Sequence, residues 1–172
     1  VEIDLGAGLL TVRGGSGGLA TTKFTYNVDG WKPTVDYKLE GTRGTLTVSQ
    51  PRGPMVIATN TRNEWDVALS QAIPIDLRVN TGAGKSDLML GGLSLTSVNI
   101  AGGAGELRAD LSGDWSRSAN VDISGGVGKI SVLLPSAGGC GRRPRPVSAA
   151  SPPPASPEPA PPGRMRNTAD RR

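Results

Sequence analysis

The pattern apolar–x–apolar–x–x–Gly–(Ala or Val)–Gly occurs four times in this chain. It reads VEIDLGAG from Val1, LRVNTGAG from Leu77, VNIAGGAG from Val98 and VDISGGVG from Val121. The glycine pairs are Gly6 and Gly8, Gly82 and Gly84, Gly103 and Gly105, and Gly126 and Gly128, and the last three copies start 21 and 23 residues apart. A period near 20 residues is the signature of a solenoid, whose repeats stack on their neighbours. In the third copy Val98 and Ile100 alternate with polar or small residues, and Leu107, Ala109 and Leu111 alternate again after the glycines. Period two on both sides marks two strands, each with one buried face. The glycines, Gly103 and Gly126 among them, are expected to turn the chain between those strands by adopting positive φ. One such coil buries too little apolar surface to offset its ordering entropy, whereas stacked coils share their faces and ladders. The expected fold is therefore all-β: a short β-solenoid of stacked two-strand coils with Gly-x-Gly turns.

Gly84-Lys85-Ser86 also ends a Walker A motif. That motif needs a first glycine five positions before Gly84, where this chain has Val79, and it must open a helix whose amides meet phosphate. The following SDLMLGGLSL alternates and then breaks at two glycines, so Lys85-Ser86 reads as strand. GGAGELRAD and GGVGKISVL resemble a calcium-binding nonapeptide, but Leu107 and Ile130 stand where a carboxylate ligand is required. Residues 22–76 lack the glycine corner. They still read as strands around Phe24 and Tyr26, Val35 to Leu39, Leu46 and Val48, and Trp65 to Leu69, with EGTRGTLTV as a hairpin. These are expected to form irregular first coils that cap the stack at its N-terminal side, with Trp31 and Trp65 plugging its core.

Composition sets the domain boundary. The segment after Pro135 holds nine of the 14 prolines and seven arginines, with almost no branched apolar residue. Residues 1–138 are expected to form the solenoid and 139–172 a disordered Pro/Arg-rich tail. The tail is also compatible with out-of-frame translation of a GC-rich gene, which comparison of the reading frames decides. The overall charge of +4 belongs to this tail, because residues 1–138 carry twelve basic and thirteen acidic groups. A near-neutral body gives no electrostatic footprint for nucleic acid. Cys140, in AGGC, follows a whole domain, so it does not read as a lipoprotein box.

The absence of His removes His-based metal sites and Ser-His-Asp triads, and one Cys cannot form an internal disulfide. No cofactor is implied, and no apolar run is long enough to span a membrane. The chain starts at Val1 rather than Met and is read as lacking its natural beginning, so a missing signal or anchor is silent about location. Catalysis would fall to carboxylates such as Asp110, Asp114 and Asp122. Asp110 and Asp122 alternate with inward residues, however, which places them on a solvated face. The outward residues Arg108, Asp110, Asp122 and Lys129, with Trp115 expected to be exposed in the loop SGDWSRS, are the candidate contact surface. The pattern stops at KISVLLP without a polar capping coil, so end-to-end association, or a missing partner segment, is expected there.

Residues 63–113 run from a Trp-containing strand through Ile73-Pro74 into Leu-x-Val, Gly-Ala-Gly and a Leu-rich strand closed by Gly-Gly-Leu. In this the chain resembles the bacterial toast-rack domain family over about residues 1–135. The resemblance implies an envelope-associated β-solenoid related to adhesins and cell-wall-antibiotic response proteins. It implies no catalytic residues. The expected function is a non-catalytic interaction, sensing or adhesin-like module of the bacterial cell envelope that meets a protein or another envelope component. A carbohydrate-active enzyme on the same solenoid and a self-assembling structural unit are the alternatives.

Overall fold

The computed structural model describes residues 1–51, 60–113, 115 and 118–135; the expected tail, 139–172, lies outside them. The strands are β1 (Glu2–Gly14), β2 (Ala20–Tyr26), β3 (Thr34–Glu40), β4 (Arg43–Ser49), β5 (Asn63–Leu69), β6 (Ile75–Met89), β7 (Leu95–Asp110) and β8 (Asn120–Leu133). A single 3-10 turn, Asp29–Trp31, is the only helical element among the described residues. The all-β expectation is met, and Lys85-Ser86 lies inside β6 rather than at the start of a helix.

Strands β1, β6, β7 and β8 stack in that order, each parallel to the next. Their patterns superimpose residue on residue: Ile3, Val79, Ile100 and Ile123 form one column, and Leu10, Ser86, Leu107 and Ile130 another. Each strand passes through its Gly-x-Gly without leaving the sheet, so the glycines make a corner and not a chain reversal. The buried positions are Ile3 and Leu5 before the corner of β1, and Leu10 and Val12 after it. Inward parity therefore switches from odd to even, which lets both arms of one strand face a single interior. The chain passes from β6 to β7 through Leu90 to Ser94, where Leu90 and Leu93 are buried in the same core.

The two glycines of a pair serve different purposes. Positive φ belongs to the second: 147° at Gly8, 123° at Gly84, 132° at Gly105 and 140° at Gly128. The first has no such φ, so the expectation that Gly103 and Gly126 are needed for positive φ is corrected. They are needed for close approach. A Cβ on Gly82, Gly103 or Gly126 would overlap the carbonyl oxygen of Gly6, Gly82 or Gly103, respectively, in the preceding strand. The second glycines meet the same obstacle, since Gly84, Gly105 and Gly128 lie against the carbonyl oxygens of Gly8, Gly84 and Gly105.

The irregular middle forms a layer beneath β1 that is built from two strands. Glu2 to Asp4 of β1 pair in parallel with β4, and Leu9 to Gly14 pair in parallel with β5. Where a glycine corner would link the two, side-chain amides do the work. Gln50 Oε1 accepts from the Gly6 amide at 3.0 Å, and Asn63 Nδ2 donates to the Ala7 carbonyl at 2.7 Å and to Gln50 Oε1 at 3.1 Å. Asn63 Oδ1 in turn accepts from the Trp65 indole at 2.8 Å. Beyond this layer β2 runs antiparallel to β5, and β3 antiparallel to β4 through the two-residue loop Gly41-Thr42. Gly41 at the first central position, with φ 61°, suits such a hairpin. The middle region thus caps the N-terminal side of the stack, as expected, although β1 is its third layer and not its first.

Columns of Val, Leu and Ile from β1, β4, β5, β6 and β7 fill the core, with Trp65 buried at its N-terminal end. The Trp65 ring meets Phe24 edge to face, centroids 5.3 Å apart. Trp31 departs from expectation: it sits half-buried in the 3-10 turn and outside the core cluster. A hydrophobic exterior position next to a turn cannot be told from a core position by period alone.

Candidate interaction surface

The parallel register arranges outward side chains in columns, with layers about 4.8 Å apart. On the arm after the corner, Lys85, Glu106 and Lys129 form the first column. Glu106 lies between the two amines, 3.8 Å from Lys85 Nζ and 3.9 Å from Lys129 Nζ. The next column is Asp87, Arg108 and Ser131, and the third is Met89, Asp110 and Leu133. Lys85 Nζ also reaches Asp87 at 3.7 Å, which links the first two columns. Exposed pairs of this kind add little stability. Their effect is to hold a chequer of alternating charge at fixed spacing.

The arm before the corner carries a second face. Glu2, Arg78, Asn99 and Asp122 share a column there, and Asn80 donates to Asp4 at 2.7 Å in the adjoining one. The candidate residues therefore separate. Arg108, Asp110 and Lys129 lie together on one face, and Asp122 lies on the other. Trp115 belongs to neither. Its ring is half-buried against the core and its indole donates to the Leu111 carbonyl at 2.7 Å, so it is a plug over the end of that turn and not the exposed platform expected of its loop.

The carboxylates are arranged for structure. Asp110 accepts from the Ser112 amide at 2.9 Å, and hydrogen bonds from Ser112 hold its carboxyl below the usual carboxylate range. A general acid needs the opposite shift. Asp114 lies outside the described residues. Asp110 and Asp122, on different arms, do not form a facing pair. Among the described residues, no three Asp, Glu, His or Cys side chains converge as a metal site.

Two features escaped sequence reasoning. Gln50 and Asn63 replace a glycine corner, a role visible only once β4 and β5 are known to share a layer. The second is a cleft between the β3–β4 hairpin and the start of β6, lined by Tyr37, Leu39, Arg43, Asp76 and Arg78. Arg43 bonds Asp76 at 2.9 Å, and Thr96 also donates to that carboxylate. These two donors, Thr96 foremost, hold Asp76 below the usual carboxylate range. The only hint in the sequence was the apolar alternation of β3, whose Val35, Tyr37 and Leu39 are exposed.

A family model described as the N-terminal domain of toast_rack, DUF2154, matches residues 1–133. No curated protein matches the chain. Among solved structures, the chain is similar to a crystal structure from Clostridium sporogenes ATCC 15579 described as a "putative cell adhesion protein", with 32% identity and a TM-score of 0.76. The likeness covers 79% of this chain and 65% of that one, so the chain spans just under two thirds of its neighbour's length. The stacked glycine corners are what this family match covers from end to end, and the chain belongs to the toast-rack N-terminal domain family.

Proposed function

We propose that this chain is a non-catalytic, adhesin-like contact module of a bacterial cell envelope, working outside the cytoplasm. The reading rests on the face carrying Arg108, Asp110 and Lys129. Its charges alternate in two directions, and the parallel register with the closely approaching glycine corners sets their spacing. Such a face binds by matching a partner's charge spacing. The solved neighbour, described in terms of cell adhesion, supports the same class of function. The enzymatic alternative loses support from Asp110, which is tied to Ser112, and from its separation from Asp122.

The immobilised chain tests the reading. It is expected to retain protein or glycan from bacterial envelope fractions. The triple variant Arg108→Ala, Asp110→Ala, Lys129→Ala should lose most of that retention while its melting temperature stays within a few degrees. Failure to retain any envelope component, or equal retention by the triple variant, refutes the proposed face. Measurable turnover of a glycan that disappears in Asp110→Asn would overturn the non-catalytic reading.

A further inference from the structure

Three strands have one sheet neighbour each among the described residues: β2, β3 and β8. The edge of β3 lies in the interior of the sequence, and β4 separates it from β1. Across the hairpin Val35 faces Val48 and Tyr37 faces Leu46. The β4 members are buried, at 0% and 6% exposure, whereas Val35 is 48%, Tyr37 51% and Leu39 65% exposed. The core-facing side of β3 is therefore a half-covered apolar row. Its other side carries Asp36, Lys38 and Glu40, with Lys38 Nζ 3.5 Å from the Asp36 carboxylate.

The hairpin fixes which backbone groups this edge offers. Its two-residue loop closes on the hydrogen-bonded pair Glu40 and Arg43. Alternation along an antiparallel ladder then turns the N–H and C=O of Thr34, Asp36, Lys38 and Glu40 toward β4. Those of Val35, Tyr37 and Leu39 point outward. Two copies of β3 related by a two-fold axis can pair only in registers that oppose outward residues. Centring on Asp36 sets the two Asp36 carboxylates against each other. Centring on Lys38 opposes the two ammonium groups, and also Asp36 to Glu40. Like charges directly opposite are destabilising. Centring on Tyr37 opposes Asp36 to Lys38 twice, Val35 to Leu39 twice and Tyr37 to its own copy. That register alone pairs all seven residues of β3. Centring on Val35 or Leu39 leaves only three of them paired.

The geometry points to the β3 edge as a self-recognition surface, at which two copies of this chain join antiparallel about a two-fold axis through Tyr37. The contact is isologous: each Asp36 meets the other copy's lysine and each Lys38 the other copy's aspartate. The axis stands perpendicular to the sheet, so the two apolar rows lie side by side on one face and the two acid–base pairs on the other. An edge lysine ordinarily blocks strand addition. Here the aspartate two residues before it permits addition in one register, while the same charges disfavour the neighbouring ones. The β2 edge lacks this property, because Lys23 is its one charged residue and has no acid to oppose it. A second copy is therefore selected by β3 and not by β2. This inference does not depend on the adhesin-like reading, whose residues Arg108, Asp110 and Lys129 lie on β7 and β8.

Sedimentation equilibrium of the chain at concentrations up to about 1 mM reads the association, and hydrogen exchange at low and high concentration reads its site. A monomer–dimer equilibrium is expected. Dimerisation should slow exchange of the Val35, Tyr37 and Leu39 amides and leave those of Asp36 and Lys38, already bonded to β4, unchanged. Asp36→Lys and Lys38→Asp, both at exposed positions, should each weaken self-association about tenfold or more, because each sets like charges opposite one another. Mixed in equal amounts, the two variants should regain the parent's association, since every opposed charge pair is again acid against base. That recovery separates a lost contact from a lost fold. A parent that stays monomeric, growth beyond the dimer, parent-level association of either variant alone, or a mixture that fails to associate overturns the inference. So do Val35, Tyr37 and Leu39 amides that already exchange slowly in the monomer, because another segment then covers the edge.

Discussion

Adding one methyl group at three neighbouring glycines should give three different outcomes, although the sequence alone treats the residues alike. At Gly105 φ is +132° and a Cβ would overlap the Gly84 carbonyl oxygen, so Gly105→Ala meets both backbone strain and a steric block. Holding a non-glycine residue in such a region costs about 1–3 kcal/mol. Relieving the overlap separates the layers at the corner, and each buried ladder group left unpaired costs about 1–3 kcal/mol more. A loss of about 3 kcal/mol or more follows. Gly103→Ala meets the Gly82 carbonyl but no φ penalty, and should lose about 1–3 kcal/mol. Gly102→Ala has no φ penalty, and its nearest neighbour is the Ser124 carbonyl oxygen at 3.8 Å, an ordinary contact. Its column already accepts Thr81 in β6. This variant should stay within about 1 kcal/mol of the parent and could gain from a less flexible unfolded chain. Thermal and urea unfolding read all three. For a domain of this size, about 1 kcal/mol corresponds to roughly 3–5 °C, so Gly105→Ala should melt roughly 10 °C or more below Gly102→Ala. Melting temperatures within about 2 °C of each other for all three variants would show that the layers do not approach as closely at the corner as the carbonyl stacking requires.

Asn63→Ala should cost about 2–4 kcal/mol in urea unfolding, because it leaves the buried Trp65 indole without its acceptor and frees the Ala7 carbonyl. Leu107→Ala should cost about 2–5 kcal/mol and Ile130→Ala under about 1 kcal/mol, since the two share a column but differ in burial; equal losses would mean that β8 is covered in solution. Asp76 has a lowered folded pKa, so its contribution is present above its unfolded value of about 3.9 and disappears as pH falls through the folded value. The stability difference between the parent and Asp76→Asn should therefore shrink below about pH 4, and a difference unchanged from pH 7 to pH 2 would remove the assigned Thr96 and Arg43 contacts. Solvent screening keeps this effect below about 1 kcal/mol.

Repetition made most of the stack readable in advance. Four copies of one pattern are four independent statements of the same inward columns, and the structure puts Ile3, Val79, Ile100 and Ile123 where the copies align. The roles inside a corner were less legible. Positive φ and close approach both select glycine, so Gly103 and Gly105 read identically although close approach alone requires the first and both together the second. The layer of β4 and β5 was hidden because its two halves are separated in sequence and its corner is made of Gln50 and Asn63, residues with no glycine signature. Of the candidate surface, the outward direction of Arg108, Asp110, Asp122 and Lys129 followed from alternation. Their division between two faces did not, because the switch of parity at the corner is a property of the backbone. Trp115 was misplaced for a related reason: a loop can fold its aromatic ring back over the last core residue, and no period marks that.

The position of β1 within the stack also governs how the protein is made. Of the described strands β1 is synthesised before the others, and it pairs on one side with residues 47 to 49 and 64 to 69 and on the other with residues 78 to 89. Its pairing cannot be completed until residue 89 has been synthesised, and until then it exposes a glycine-containing, aliphatic edge. Distant pairings of this kind slow folding and lengthen the period open to misassociation. Assembly from β6 toward β8 needs only adjacent repeats, so that half can zip locally once β6 is anchored. Folding of the described strands should therefore have a slow, order-dependent beginning and a fast end, with β1 among the later ones to be locked on both sides.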